Sequence, residues 1–355
     1  MKSKVITVVF TGFLILGLLV HVIVPDQVIN AAERRVLQQF PEVSTKNIIS
    51  GKFSSDFEKY LCDQIPYRNV FREIRAEVTR NIFQQIEDAG IYSDGTYLYK
   101  DWYPTNYEAI AHFIEYINGM KDAFTKENHI YFACIPDKNY YAMHLDWLSL
   151  DYTYIFQQCQ SIIYTQIDLR DCLQLSDFYR TDIHWKQPNL QKVVEKFGAS
   201  MHFSTQWDYT ENTLGSFIGT LGQQAAVHGF EDTLTYLTNA TITNADIYYM
   251  ENDTESEVYT KDKESYDAYD VFLGGANAYI EMKNPNSTSD RELVIFRDSF
   301  ASAIAPLFLS AYSKITLIDT RYISKKYWKE KIEFTNQDVL FMYSAGMINN
   351  GYALK

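Results

Sequence analysis

Three short apolar runs in the last third of the chain constrain its fold more than any other feature. Leu293–Phe296, Ile315–Ile318 and Val339–Tyr343 read as buried strands, and helical stretches at about 300–312 and 325–332 separate them. Strand–helix–strand–helix–strand implies parallel strands covered by helices on both faces. Upstream, Ile130–Ile135 ends in Pro136-Asp137 as a buried strand does, Ile162–Leu169 reads as another, and Pro188 opens a helix through about Met201. The Tyr107–Phe124 stretch is amphipathic and helical, and residues 90–102 alternate as a hairpin turning at Asp94-Gly95. Between these, residues 205–286 are Gly-punctuated, acidic and rich in Tyr and Thr, as expected of a mixed β insertion.

The amino-terminal end sets a second constraint. Val5–Val24 is uncharged and follows Lys2 and Lys4. Twenty residues of helix span about 30 Å, the hydrocarbon thickness of a bilayer. The run exceeds the core of a cleavable signal, and only Ala31-Ala32 offers a weak cleavage site, so an uncleaved anchor is expected. The lysines favour the amino terminus inside, although Arg34 and Arg35 on the other flank oppose that. The expected organisation is an anchor at 1–26, a stalk and helical region at 27–89 broken at Pro66, and one α/β domain at 90–355.

Composition excludes several classes. With 32 Lys and Arg against 45 Asp and Glu, the net charge of -13 repels nucleic acid. Four cysteines without a CxxC do not make a disulfide scaffold, and buried or partly buried free thiols are the expectation. Walker A, G-x-G-x-x-G and H-E-x-x-H motifs are lacking, so no cofactor or metal is expected.

Open α/β sheets bind ligands at the carboxyl ends of their strands. Two reactive segments fall there. Arg297-Asp298-Ser299-Phe300 runs from a strand into a helix, where Ser299 presents its hydroxyl beside a helix start suited to an oxyanion. Equally, Asp298 and Ser299 are ordinary helix caps. In Tyr179-Arg180-Thr181-Asp182-Ile183-His184-Trp185, Asp182 and His184 sit at i and i+2 of an extended loop, on one side. A carboxylate there can hold an imidazole whose Nε2 takes a proton from a serine. A structural Asp–His bond, or a metal site from Asp182, His184 and Asp298, are the other readings. His112, His129, His144, His202 and His228 have no carboxylate or Cys partner at ligand spacing.

At Asp182-Ile183-His184-Trp185 the sequence resembles the DHHW family of Gram-positive bacteria. Further motifs carry the likeness: Glu33-Arg34-Arg35-Val36-Leu37, Ser50-Gly51-Lys52-Phe53, Asp63-Gln64-Ile65-Pro66-Tyr67-Arg68, Gly215-Ser216-Phe217-Ile218-Gly219-Thr220-Leu221, Asp298-Ser299-Phe300 and Asp319-Thr320-Arg321-Tyr322. The family is similar to the alginate O-acetylation proteins AlgX and AlgJ. That resemblance implies a three-layer SGNH-hydrolase-like, flavodoxin-like parallel sheet. It implies Ser299 as nucleophile, His184 as base and Asp182 as its orienter. Asp298, Arg321, Tyr322 and Trp185 are further candidates for oxyanion or substrate binding. Ile183 replaces the family's first histidine, and Arg297 the usual Gly before Asp-Ser, where it would crowd the turn or add a cation near the oxyanion. The implied activity is a membrane-anchored, extracytoplasmic O-acetyltransferase or acyl esterase acting on a cell-surface or secreted polysaccharide, with a membrane acyl-donor protein as partner. The alternative is a non-catalytic glycan-binding or cell-envelope assembly protein on the same fold.

Overall fold

The computed structural model describes the chain except residues 1, 31, 32, 34, 144, 145, 228, 251–253 and 262–266. Ala31, Ala32, Arg34, His144 and His228 therefore lie outside the described residues. The chain divides into two compact units, residues 1–89 with 223–229, and residues 90–222 with 230–355.

In the first unit, helix α1 spans Lys2–Ile23, of which Lys4–Ile23 is long and apolar enough to cross a membrane, with a mean hydropathy of 2.5. Two further helices, Lys52–Asp63 and Arg68–Glu77, flank Pro66. The quoted motifs of this region are tied to one another. Arg35 grips the Asp63 carboxylate with two bonds of 2.7 and 2.5 Å. Arg68 Nε donates to Glu33 at 2.8 Å, and the Gln64 amide bonds the carbonyls of Gln27 and Gln38. Paired arginine forks of this kind fix geometry more than they add stability.

The second unit is built on one eight-stranded sheet. Its strands are β1 His129–Ile135, β2 Thr165–Gln166, β3 Asp246–Tyr249, β4 Thr254–Ser256, β5 Tyr279–Lys283, β6 Glu292–Arg297, β7 Lys314–Ile318 and β8 Asp338–Ser344. The spatial order is β4-β3-β5-β7-β6-β8-β1-β2. From β7 to β2 every pair is parallel. β5 joins β7 antiparallel, and β3 and β4 extend that edge antiparallel as well.

Period-two alternation divides the core between the two faces. Leu293, Ile295, Leu340 and Met342 pack on one side with the helices α4 Gln191–Met201 and α5 Ala301–Phe308. Val294, Phe296, Val339 and Phe341 pack on the other with α2 Tyr107–Asn118, α3 Tyr152–Cys159 and α6 Lys325–Lys331. Strands buried on both faces read as continuous apolar runs, which is why these were conspicuous in the sequence. The three-layer α/β expectation holds.

Several boundaries differ from the sequence reading. The strand expected at 162–169 pairs only at Thr165–Gln166, because it is an edge strand that bends into a tight turn at Arg170. The helix expected to reach residue 312 ends at Phe308: Pro306 lacks an N–H, and the chain tightens into i→i+3 bonds at Leu309 and Ala311. The helix expected to reach 124 stops at Asn118, before Gly119. The 205–286 region, expected as a mixed β insertion, supplies three strands of the main sheet, β3, β4 and β5; its first part forms a separate hairpin, Thr210–Phe217 with Asp232–Thr238. The four cysteines are free.

Candidate active site

The site forms where β6 and β8 end and α5 begins. Asp298 is buried and both its oxygens are used: Phe300 N–H donates to Oδ1 at 3.0 Å and Ser344 N–H to Oδ2 at 2.8 Å. The carboxylate thus caps the turn and ties the end of β6 to the end of β8. Between these fixed points Ser299 lines a cavity of about 150 Å³.

The second reactive segment folds into a closed loop. Phe178 and Trp185 form an antiparallel bridge, and Tyr179 N–H donates to the His184 carbonyl at 3.1 Å. The turn brings Asp182 and His184 to the same side, as their spacing predicts. His184 Nδ1 lies 2.5 Å from Asp182 Oδ1, and His184 Nε2 lies 2.7 Å from Ser299 Oγ. The residues expected to converge are therefore in one hydrogen-bonded chain. A carboxylate on Nδ1 selects the tautomer that leaves Nε2 to accept the Ser299 proton. The Tyr269 ring stacks on the imidazole at 3.9 Å between centroids and 7° between planes, fixing its orientation from the other side.

Four groups hold Asp182 itself. Besides the His184 ring, His184 N–H donates to Oδ1 at 3.0 Å. Thr220 donates to Oδ2 through both its N–H, at 2.8 Å, and its hydroxyl, at 3.0 Å. Burial opposes the charge, but the His184 ring and these donors outweigh it and keep the carboxyl well below the usual carboxylate range. A Cβ on Gly219 would lie 2.4 Å from Asp182 Cβ and 2.7 Å from the Thr181 carbonyl oxygen, so only glycine admits this approach.

The loop is pinned from behind by two buried charges. Asp232 accepts bonds from Arg180 N–H, Thr181 N–H and the Thr181 hydroxyl at 2.8, 2.7 and 2.6 Å. Lys138 Nζ donates to the carbonyls of Tyr179, Arg180 and Asp182 at 3.0, 3.3 and 2.8 Å. Burial lowers the Lys138 ammonium to about 7, against the pull of Asp182 and other carboxylates.

Asp137, one residue earlier, also lines the cavity. Its Oδ1 accepts Asn139 N–H at 3.0 Å and the Tyr152 hydroxyl at 2.5 Å, whereas its Oδ2 is buried without a hydrogen-bond partner. Burial pushes this carboxyl up to about 6, although those donors work against the rise.

The remaining expected site residues divide. Arg321 lines the cavity, with its guanidinium forked onto Asp319 at 2.8 and 2.5 Å. Tyr322 is not among the lining residues; it is 51% exposed beside the Arg321 guanidinium. Trp185 is fully buried and donates Nε1–H to the Phe300 carbonyl at 3.0 Å, so it braces the start of α5 and offers no face to a substrate. Asp298 cannot serve as an oxyanion donor, since a carboxylate only accepts. Its oxygens bond the Phe300 and Ser344 N–H groups, and among the described residues no three His, Cys, Asp or Glu side chains gather as a metal site. Arg297 neither crowds the Ser299 turn nor lines the cavity: its guanidinium donates to Ser302 Oγ at 3.0 Å and the Asn277 carbonyl at 3.1 Å.

Sequence reasoning assigned no role to Asp137, Lys138, Gly219, Thr220, Asp232 or Tyr269. Gly219-Thr220 lay within a quoted motif, and Asp137 had been read only as the end of a strand. A buried Lys or Asp leaves no periodic trace, so the others gave no signal.

The DHHW protein family model matches residues 155–318. A DHHW family protein from Eubacterium siraeum superposes with a TM-score of 0.63 at 20% identity, over 76% of this chain and 95% of that one. Bacillus cereus PatB1, solved with a sulfonyl adduct, gives a TM-score of 0.60 at 18% identity, over 73% of this chain and 95% of its own. The O-acetyltransferase domain of Pseudomonas putida AlgJ gives 0.45 at 12% identity, over 73% and 92%, too low to argue from. No curated protein matches the chain in sequence. At these identities the likeness is one of fold. The matched span contains both the Asp182–Trp185 tetrapeptide and the Asp298-Ser299 turn, so the resemblance to the DHHW family is borne out, on the fold seen in the DHHW and PatB1 structures.

Proposed function

We propose that the chain is a membrane-anchored O-acyltransferase or acyl esterase that works outside the membrane on a cell-surface or secreted polysaccharide, with Ser299 as nucleophile. The observation that carries this reading is the unbroken Asp182–His184–Ser299 chain, with bonds of 2.5 and 2.7 Å, ending at a cavity. A half-buried Ser bonded to buried His and Asp side chains in that order suits nucleophilic acyl transfer.

In the first half-reaction Ser299 Oγ attacks the acyl carbonyl while its proton passes to His184 Nε2. Asp182 stabilises the imidazolium. The leaving group takes that proton as its bond to the acyl carbon breaks. In the second half-reaction His184 takes the proton of a sugar hydroxyl, or of water, as that oxygen attacks the acyl carbon. Ser299 leaves and recovers the proton. The Ser299 N–H, at the start of α5, is one oxyanion donor, and the Arg321 side of the cavity is the place for a second. Helix α1 would tether the domain near an acyl donor protein in the membrane.

The test uses 4-nitrophenyl acetate. Wild type should release a stoichiometric burst of nitrophenolate, and Ser299→Ala should lose the burst with an unchanged melting temperature. Equal release by the two proteins would favour a glycan-binding protein on this fold.

A further inference from the structure

The Asp137 carboxylate has a function left open by the triad. Asp137 caps the turn after β1, and capping needs one oxygen, Oδ1. The residue is 4% exposed, and Oδ2 has no partner although it belongs to a residue lining the Ser299 cavity. A buried carboxylate oxygen without a donor is costly, and such groups in clefts mark functional positions. An Asn would cap the turn equally well without burying a charge. The cavity also offers Trp102, Lys100, Asn139 and Asn350, an aromatic body among polar groups, which suits a hydroxyl-rich ring.

We infer that Asp137 reads the acyl acceptor: its Oδ2 takes a hydrogen bond from a second hydroxyl of the sugar whose first hydroxyl attacks the acyl group on Ser299. This rests on the proposed function and specifies how the acceptor is told from a simple alcohol or from water. Asp137 exchanges no proton. The attacking hydroxyl gives its proton to His184, and the second hydroxyl stays intact while its bond to Asp137 orients the ring. A site built to pair with a hydroxyl rejects an analogue lacking it far more strongly than an apolar site does.

The experiment compares two acceptors on the full-length protein, with 4-nitrophenyl acetate as donor. One is methyl glucopyranoside; the other is tetrahydropyran-2-methanol, which keeps the ring and one hydroxymethyl group but lacks the other hydroxyls. The ratio of acetylated products is read within each protein, so a general loss of activity cancels. Wild type should favour the glucoside at least tenfold, and Asp137→Asn should bring that ratio down by at least tenfold. An unchanged ratio in the variant overturns the inference. A wild-type ratio near one overturns it whether or not the variant folds. Absence of the wild-type nitrophenolate burst would instead overturn the proposed function, and the inference with it.

Discussion

Asp182 and Asp137 are both buried carboxyls at the Ser299 site, one bonded to His184 and the other lining the cavity, yet their environments are opposite. Asp182 has four donors on its two oxygens and sits on a loop held by Asp232 and Lys138. Asp137 has donors on one oxygen only. The same burial therefore leaves one carboxyl well below its usual range and the other raised to about 6. The satisfied carboxylate serves a partner inside the protein, His184. The unsatisfied one is shaped for a partner that arrives from outside. Pairs of titratable groups pushed apart by their surroundings are a mark of an active site.

The comparison breaks most readily at Asp182. Asp182→Asn should cut kcat by about 10³–10⁴, because the amide favours the wrong His184 tautomer. Burst kinetics on a variant with near-wild-type circular dichroism would measure it; a loss below about tenfold would show that the carboxylate is dispensable. Gly219→Ala comes next. Its methyl would meet Asp182 Cβ at 2.4 Å and force the loop apart, and a small displacement of the dyad costs about 10² in rate. An alanine variant with unaltered kcat would mean that this approach has no bearing on the dyad.

The smallest effect lies at Asp137 and is one of stability. A folded pKa raised from 3.8 to about 6 means that Asp137 favours folding below the unfolded value and loses that contribution as pH rises through about 6. Asp182 has the opposite sign: its contribution is present above the unfolded carboxylate value and is lost as pH falls. Asp137→Asn should therefore gain stability relative to the wild type by about 2 kcal/mol between pH 4 and pH 7.5. Urea melts at the two pH values would show it; a difference between variant and wild type that does not change with pH would mean that burial does not raise the Asp137 carboxyl.

The parts of this site visible in the sequence are those that are local. Asp182 and His184 lie two positions apart in one loop, and Asp298 and Ser299 share one turn, so spacing alone suggests their geometry. The sheet was legible for the same reason, because Leu293–Phe296 and Val339–Tyr343 carry their burial in consecutive residues. What could not be read depends on folding at long range. Thr220 lies 38 residues from Asp182, Asp232 lies 51 from Thr181, and Lys138 lies 44 from the Asp182 carbonyl. Trp185 was a candidate for substrate binding, whereas its buried indole N–H is committed to Phe300. The antiparallel extension by β3, β4 and β5 was hidden because those strands lie among acidic, Tyr- and Thr-rich residues without a clear period.

The central claim is that Ser299, activated through His184 and Asp182, is the nucleophile. Methanesulfonyl fluoride tests it directly, since it transfers a sulfonyl group to an activated hydroxyl. Peptide mass spectrometry of the treated full-length protein should find one sulfonyl group, on Ser299, and none on that peptide in His184→Ala. A modified residue elsewhere with Ser299 untouched, or equal labelling of Ser299 without His184, would contradict the account.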